Sequence, residues 1–595
     1  MLPQDQQGFT RLLRMMKPLL ADAITPRDLI QAVLLRWHKL AFRTLRAPTL
    51  SVRKELKQHA TVHEFSEWLA ERDVMDAAFW LSSAYAALLD KDIRKKQAMY
   101  FTPPYLSGRV LDNAGRLLRT GKIIDPACGG AAFLVPAAHR IAQEMEFDGC
   151  SSEEIIEHIE GHLYGSDTDS FLCVLAAAFI RMALAAHIIA SGREPKLRIL
   201  VADGLNAFGR EAGTFDLVLS NPPYRKMTAD DCEPYRAEYS DVMLGQPNLY
   251  TMFIRRATRL LRKGGRAVLL TPMSFLSGQS FSKVREALSH EGAVAQFDLI
   301  HDKDGIFLGA EQDAVVTVWI KDARERTTRV FALSVNGKKE FIGRYQMVGR
   351  HGPWPIPRRR QDVELLTLFG SPASTLRDYG YVAKTGAVVI HRSTRPTFAK
   401  LADCKRASCA IPLLWSRDIE KNGRLEFRES AKLADRYVDV RSLDSPGVVT
   451  NSCVVYQRVT SSDQPSRLVC APVPKRLFDD FGGIIGENHV GILERTSSRA
   501  EISPLLLSKV LRTETVDRLF RCISGATNVS AYEIESLPLP DTRRLKDALR
   551  RGLQPEDAVR CAYGLATTQV GEARESTDTV GEGDHERAVG ARAAA

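Results

Sequence analysis

No stretch of this chain approaches the roughly 20 consecutive apolar residues that cross a bilayer. The basic opening from Arg11 to Lys17 is followed by neither an uninterrupted apolar core nor a small-residue cleavage site. A membrane-spanning class and a leader peptide are therefore not expected, and the chain reads as cytoplasmic with no membrane partner. Cysteine is sparse and scattered: ten residues, no Cys-x-x-Cys, and Cys404 and Cys409 five apart with no second pair nearby. That spacing suits ordinary thiols, so no structural metal is expected. No solenoid-type repeat is present, and residues 1–90 carry no strand-borne acidic pair followed by lysine, which argues against a separate nuclease there. What is present is 44% hydrophobic and 26% charged residues over 595 positions, a soluble globular balance too long for one core. The net charge of +10 favours a polyanionic partner, because Lys and Arg gain by releasing phosphate counterions.

The sharpest local signal is Asn221-Pro222-Pro223-Tyr224 at the end of an apolar strand, Phe215 to Ser220. An exocyclic amine on a planar base is a poor nucleophile because its lone pair is delocalised. Two acceptors, the Asn221 side-chain oxygen and the Pro222 carbonyl, would favour a pyramidal nitrogen whose lone pair is free to attack. The prolines fix φ and stiffen the turn, and Tyr224 offers a flat face to an extruded base. The bland alternative for four isolated residues is a Pro-rich turn after a strand; their context argues against it.

About 95 residues earlier, Lys122 to Leu134 reads as strand, Gly-rich turn and helix start, a ligand cradle with Asp125 at the strand end. Asp167 ends the next strand, where a carboxylate can take both hydroxyls of a ribose, and Asp203 ends a third. Asp125, Asp167, Asp203 and Asn221 thus fall at successive strand ends of one open sheet, the edge along which ligands bind. Cys128 sits inside the Gly-rich turn and reads as a small packing residue rather than a nucleophile.

With these motifs, the stretch from about Lys95 to Lys321 resembles the N6-adenine DNA methyltransferases of the TaqI-like, gamma order. Arg94 to Pro104 looks like that family's cofactor-capping segment, Gly245 to Phe253 its Asn-Leu-Tyr helix start, and Arg259 to Pro272 its helix, Gly-Gly turn and strand. The resemblance implies an α/β class I methyltransferase, a Rossmann-like doubly wound sheet, with S-adenosyl-L-methionine as cofactor. Thr102 and Asp125 would face the amino-acid end of that cofactor, Asp167 its ribose, and Asp203 and Phe253 its adenine; Ala127, Gly129, Gly130 and Pro223 complete the cofactor set. Asn221, Pro222 and Tyr224 would be catalytic, with Tyr224 and Phe281 against the flipped base. Two departures stand out: Ala131 occupies the place of the turn's second glycine and could crowd the methionine part, and Ala98 stands where a glycine is common.

Five parts are expected: a helical region at 1–90, the catalytic domain at 91–325, a linker at 326–374, an α+β target-recognition domain at 375–541, and a helix with a disordered tail at 542–595. The first would support the sheet or contact another protein. The triplet Arg358 to Arg360 is either solvated surface or a phosphate contact. The segments 411–427, 456–472 and 525–539 look like the recognition region of PstI-like and BsuBI-like type II adenine methyltransferases, whose target is CTGCAG. Arg392, Arg395, Arg417, Arg458 and Arg467 could meet guanine edges or phosphates there. The expected function is site-specific adenine N6-methylation of double-stranded DNA, with a cognate restriction endonuclease acting on the same site without a stable complex. The alternatives are RNA or protein-amide methylation by the same turn, or a non-catalytic DNA-binding subunit of a defence complex.

Overall fold

A computed structural model describes residues 3–20, 24–97, 99–300, 313–324, 327–334, 338–347, 352–371, 373–404, 410–429, 435–461, 464–496, 500–524 and 527–566. The chain divides into two compact units, Met1–Gly370 with Arg521–Asn528, and Ser371–Phe520 with Val529–Ala595.

The first unit is built on a nine-stranded sheet. Its strands are β1 Ile123–Asp125, β2 Leu163–Asp167, β3 Arg198–Val201, β4 Phe215–Ser220, β5 Leu261–Pro272, β6 Gly292–Ile300, β7 Ala314–Lys321, β8 Thr328–Leu333 and β9 Lys339–Tyr345. The order is β3-β2-β1-β4-β5-β7-β6-β8-β9. The run from β3 to β5 is parallel, and β7 enters antiparallel to both β5 and β6. The strand order reverses between β1 and β4, which opens a crevice at their carboxyl ends.

Alternation along the strands feeds two cores, one on each face. Ile123, Leu217, Leu219, Val268 and Leu270 go to one, and Ile124, Val218, Ala267 and Leu269 to the other. The first core is completed by the helix Leu134–Phe147 and by the N-terminal helices Pro3–Met16, Pro26–Ala41, Ala60–Ala70 and Val74–Leu88. Residues 1–90 are therefore no free-standing domain, because their apolar faces share the core of the sheet. Local chemistry fixes several helix starts. Thr25 and Ser151 each close a capping box, and Asn248 caps the helix Leu249–Leu260 at the expected Asn-Leu-Tyr start.

The expected linker at 326–374 is corrected by β8 and β9, which extend the sheet; β8 pairs with β6 in parallel. Arg358, in the arginine triplet, is neither a solvated side chain nor a phosphate contact: its Nε and Nη2 donate to the carbonyls of Arg521 and Ser524 at 2.9 and 2.8 Å. It holds the returning segment 521–528 in this unit.

The second unit has a four-stranded antiparallel sheet of Tyr381–Thr385, Val490–Arg495, Cys453–Gln457 and Cys470–Pro472, in that spatial order. A five-stranded sheet of shorter strands accompanies it, with the helices Pro504–Leu511 and Ala531–Glu535. The buried pair Arg436 and Asp418, 3.0 Å apart, ties one loop to the second sheet. After Asp541 there are two helices rather than the expected one, Thr542–Arg550 and Pro555–Tyr563. The expected disordered tail lies mostly outside the described residues. Among those residues no single helix is long and apolar enough to cross a membrane.

Candidate active site

The carboxyl ends of β1, β2 and β4, with the loop after β3, enclose a cavity of about 420 Å³. Every residue expected at the site lines it except Gly130 and Phe281. The turn after β1 is shaped by backbone donors. Ala127 N–H reaches Asp125 Oδ1 at 3.1 Å, and Gly129 N–H reaches Asp167 Oδ2 at 3.0 Å. Gly129 has φ +49° and Ala131 φ +62°, so the turn makes two left-handed steps, the second with an alanine.

Gly130 faces the N-terminal helix rather than the cavity: a Cβ there would meet Ser82 Oγ at 2.1 Å. Ala131 likewise lies beside Met75, Phe79 and Ser82 around a smaller void of about 110 Å³. Its methyl group does not enter the larger cavity, so the expected crowding of the methionine part does not arise. Ala98 lies outside the described residues.

Two carboxyls, Asp125 buried and Asp167 partly buried, face this cavity without a counter-cation among the described residues. Asp125 is 2% exposed, and its pKa is pushed up to about 8, first by burial and then by the neighbouring Asp167 charge. Burial raises Asp167 as well, against the backbone N–H groups that favour its charged form. Neither makes an ion pair among the described residues. Asp203 accepts from Leu205 N–H at 3.0 Å and from the Tyr235 hydroxyl at 2.8 Å. A cationic ligand carrying a ribose and an adenine fits this donor set, since its amine and sulfonium would supply the missing positive charge.

The catalytic turn follows β4. Asn221 Nδ2 donates to Thr102 Oγ1 at 3.0 Å, which fixes the amide with Oδ1 as the acceptor side. Thr102 thus positions the amide as well as lining the cavity. Oδ1 is taken by the Tyr224 hydroxyl at 2.7 Å; that hydroxyl also lies 3.1 Å from the Leu270 carbonyl. Tyr224 packs edge-on against Tyr250 at 5.9 Å, and Tyr250 against Phe281 at 5.4 Å. Phe281 therefore stands one ring behind the site instead of in it.

Sequence reasoning missed Tyr235, which carries no local motif and reaches Asp203 only through the fold. It also missed Tyr100 and Phe101 as lining residues, although they lie inside the flagged capping segment. In the second unit Arg467 is 3% exposed and donates to Thr460 Oγ1 at 2.9 Å, so it is a structural arginine. Arg458 is bound to the Asn488 carbonyl and Arg395 to that of Pro446. Arg392 and Arg417 are exposed, the latter over the Trp415 ring.

The sheet order and this crevice define a class I S-adenosylmethionine-dependent methyltransferase fold, and S-adenosylmethionine is the cofactor this fold calls for. Residues 165–307 match the Eco57I restriction-modification methylase family, a segment that holds Asp167, Asp203, the Asn221–Tyr224 turn and Phe253. The type II methyltransferase M.PstI of Providencia stuartii is 23% identical over 56% of this chain and 66% of its own length. M.BsuBI of Bacillus subtilis is 21% identical over 57% and 68% respectively, so the chain spans about two thirds of these relatives. Among solved structures, the type IIL restriction-modification enzyme MmeI in complex with DNA superposes with a TM-score of 0.53 at 12% identity, covering 92% of this chain and 89% of that one. These likenesses support a methyltransferase of the restriction-modification type.

Proposed function

We propose that this protein is a site-specific DNA adenine N6-methyltransferase of the gamma order, the modification enzyme of a restriction-modification system. The observation that carries the reading is the Asn221 amide, held by Thr102 with its acceptor side toward Tyr224, beside a cavity with two uncompensated carboxyls.

S-adenosylmethionine, when bound, supplies an electrophilic methyl group to the target amine. Asp125 would hold its amine, Asp167 its ribose, and Asp203 with Phe253 its adenine. A base extruded from the duplex displaces the Tyr224 hydroxyl from Asn221 Oδ1 and stacks on the Tyr224 ring. Asn221 Oδ1 and the Pro222 carbonyl then accept the two amine hydrogens, favouring a pyramidal nitrogen with its lone pair free. No covalent enzyme intermediate is needed, and the proton can leave after the nitrogen has become cationic. The second unit would read the sequence, with the exposed Arg392 and Arg417 better placed for DNA than the buried Arg467.

Single-molecule sequencing of DNA from a methylation-free host expressing the protein tests this. N6-methyladenine at every copy of one short site is expected, with CTGCAG the first candidate from the recognition-region likeness. Methylation on cytosine N4, or none with soluble protein, would overturn the adenine assignment.

A further inference from the structure

The first unit holds a second cleft, of about 580 Å³, framed by the β8–β9 hairpin, β5 and the end of the helix Pro104–Ala114. Five cations line it: Arg109, which is paired with Asp298, and Arg266, Arg329, Lys339 and Arg344. Arg329 and Arg344 are direct cross-strand partners on β8 and β9. Like charges placed opposite each other on a sheet repel, so the pairing destabilises the hairpin unless something lies between them.

The nearby carboxylates do not answer that charge. Asp298 is fully buried and already accepts from Arg109 Nε and Nη2 at 2.8 and 2.9 Å, and also from Asn113 and Gln296. Asp112 at the rim is paired with Arg140 at 2.7 Å. Apart from Arg109, none of the lining cations makes an ion pair among the described residues. Arg266 is held in place by Nη1 donating to the carbonyls of Asn113 and Ala114 at 2.8 and 3.0 Å, and its buried Nε has no hydrogen-bond partner among the described residues. Burial and the neighbouring arginines lower the pKa of both Arg266 and Lys339. The walls from β7 are apolar, Val318 and Ile320.

We propose that this cleft is an anion site, apart from the cofactor cavity, which takes a phosphate-bearing ligand between Arg329 and Arg344. Planar guanidinium forks match phosphate oxygens, and an anionic phosphate group between two of them turns their repulsion into a clamp. Phosphate chemistry has two sources here: a free polyphosphate or nucleotide, and a backbone phosphate of DNA. The second rests on the proposed function; the first does not.

The test compares the full chain with the double variant R329A/R344A, both checked by thermal unfolding and by S-adenosylmethionine binding. Inorganic tripolyphosphate is titrated calorimetrically without metal, and duplex DNA affinity is measured across salt concentrations. A free-phosphate site predicts one tripolyphosphate per chain, weakened at least about tenfold in the variant, with the DNA salt slope unchanged. A DNA-backbone site predicts a salt slope shallower by about 0.9 in the variant, the loss of one phosphate contact. Equal tripolyphosphate affinity and equal slopes in the two proteins would overturn the proposal. If neither protein binds S-adenosylmethionine, the tripolyphosphate arm still reads, so loss of the methyltransferase assignment stays distinguishable.

Discussion

Asn221 is gripped at both ends of its amide, by Thr102 on the nitrogen and Tyr224 on the oxygen. Asn221→Ala is expected to lower kcat by about 100-fold or more, the usual cost of removing one pre-aimed polar group, while cofactor affinity changes little. Single-turnover kinetics with separate cofactor titration checks both. Asp125 gives a pH dependence. Its folded pKa is raised to about 8, so the ligand-free protein binds a proton there that the unfolded chain has lost. Its contribution favours folding below the ordinary carboxyl range and is lost as pH rises through about 8. A cationic ligand reverses this by holding the charged form, so S-adenosylmethionine affinity should rise from pH 6 to about 8 with release of a proton. Calorimetry in buffers of different ionisation enthalpy reads that proton. Ala131 tests magnitudes against one another. Its left-handed φ costs about 1–2 kcal/mol, but a glycine there would add about 0.5–1 kcal/mol of chain entropy and lose about 0.8 kcal/mol of methyl burial. Ala131→Gly should therefore change stability by less than about 1 kcal/mol and leave cofactor affinity intact, as thermal unfolding and titration would show.

The strands of the sheet were legible where each was locally apolar and ended on a polar residue, as with Phe215–Ser220 before Asn221 and Ala314–Lys321. The site was legible for the same reason: its carboxylates and its turn sit at strand ends, so short motifs mark them. What escaped was set by distance along the chain. Tyr235 meets Asp203 32 residues away, and Arg109 meets Asp298 189 residues away, with no local pattern announcing either. β8 and β9 escaped because they lie in irregular, basic sequence, and they join the sheet through the pairing of β8 with β6 and of β9 with β8. The Arg109 pair gives a prediction at this scale, since it joins the helix Pro104–Ala114 to β6. Asp298→Ala strands a buried guanidinium, Asn113 and Gln296, and should cost about 3–5 kcal/mol, read as the shift in a urea unfolding midpoint.

At the scale of the molecule, neither unit is continuous in sequence: the first takes Arg521–Asn528 from between the two stretches of the second. Ile356 N–H donates to the Cys522 carbonyl at 2.8 Å, beside the two bonds from Arg358, and Cys522 packs in the second core of the sheet. A fragment ending at Gly370 loses all of these, at about 1–3 kcal/mol for each buried donor left unmade. It should unfold at a lower temperature than the full chain's first transition, and a peptide of residues 521–528 added in trans should recover part of the difference. Differential scanning calorimetry decides it.

The same return of the chain bears on how specificity can be exchanged. Because the backbone passes between units at 370/371, 520/521 and 528/529, the second unit is not a cassette appended to the end of an enzyme. Recombination at one junction would carry away a piece of the first unit with it. On the proposed function, in which the second unit reads the sequence, a graft of a foreign reader has to leave residues 521–528 in place, and shuffling of readers would have to respect the same inner island.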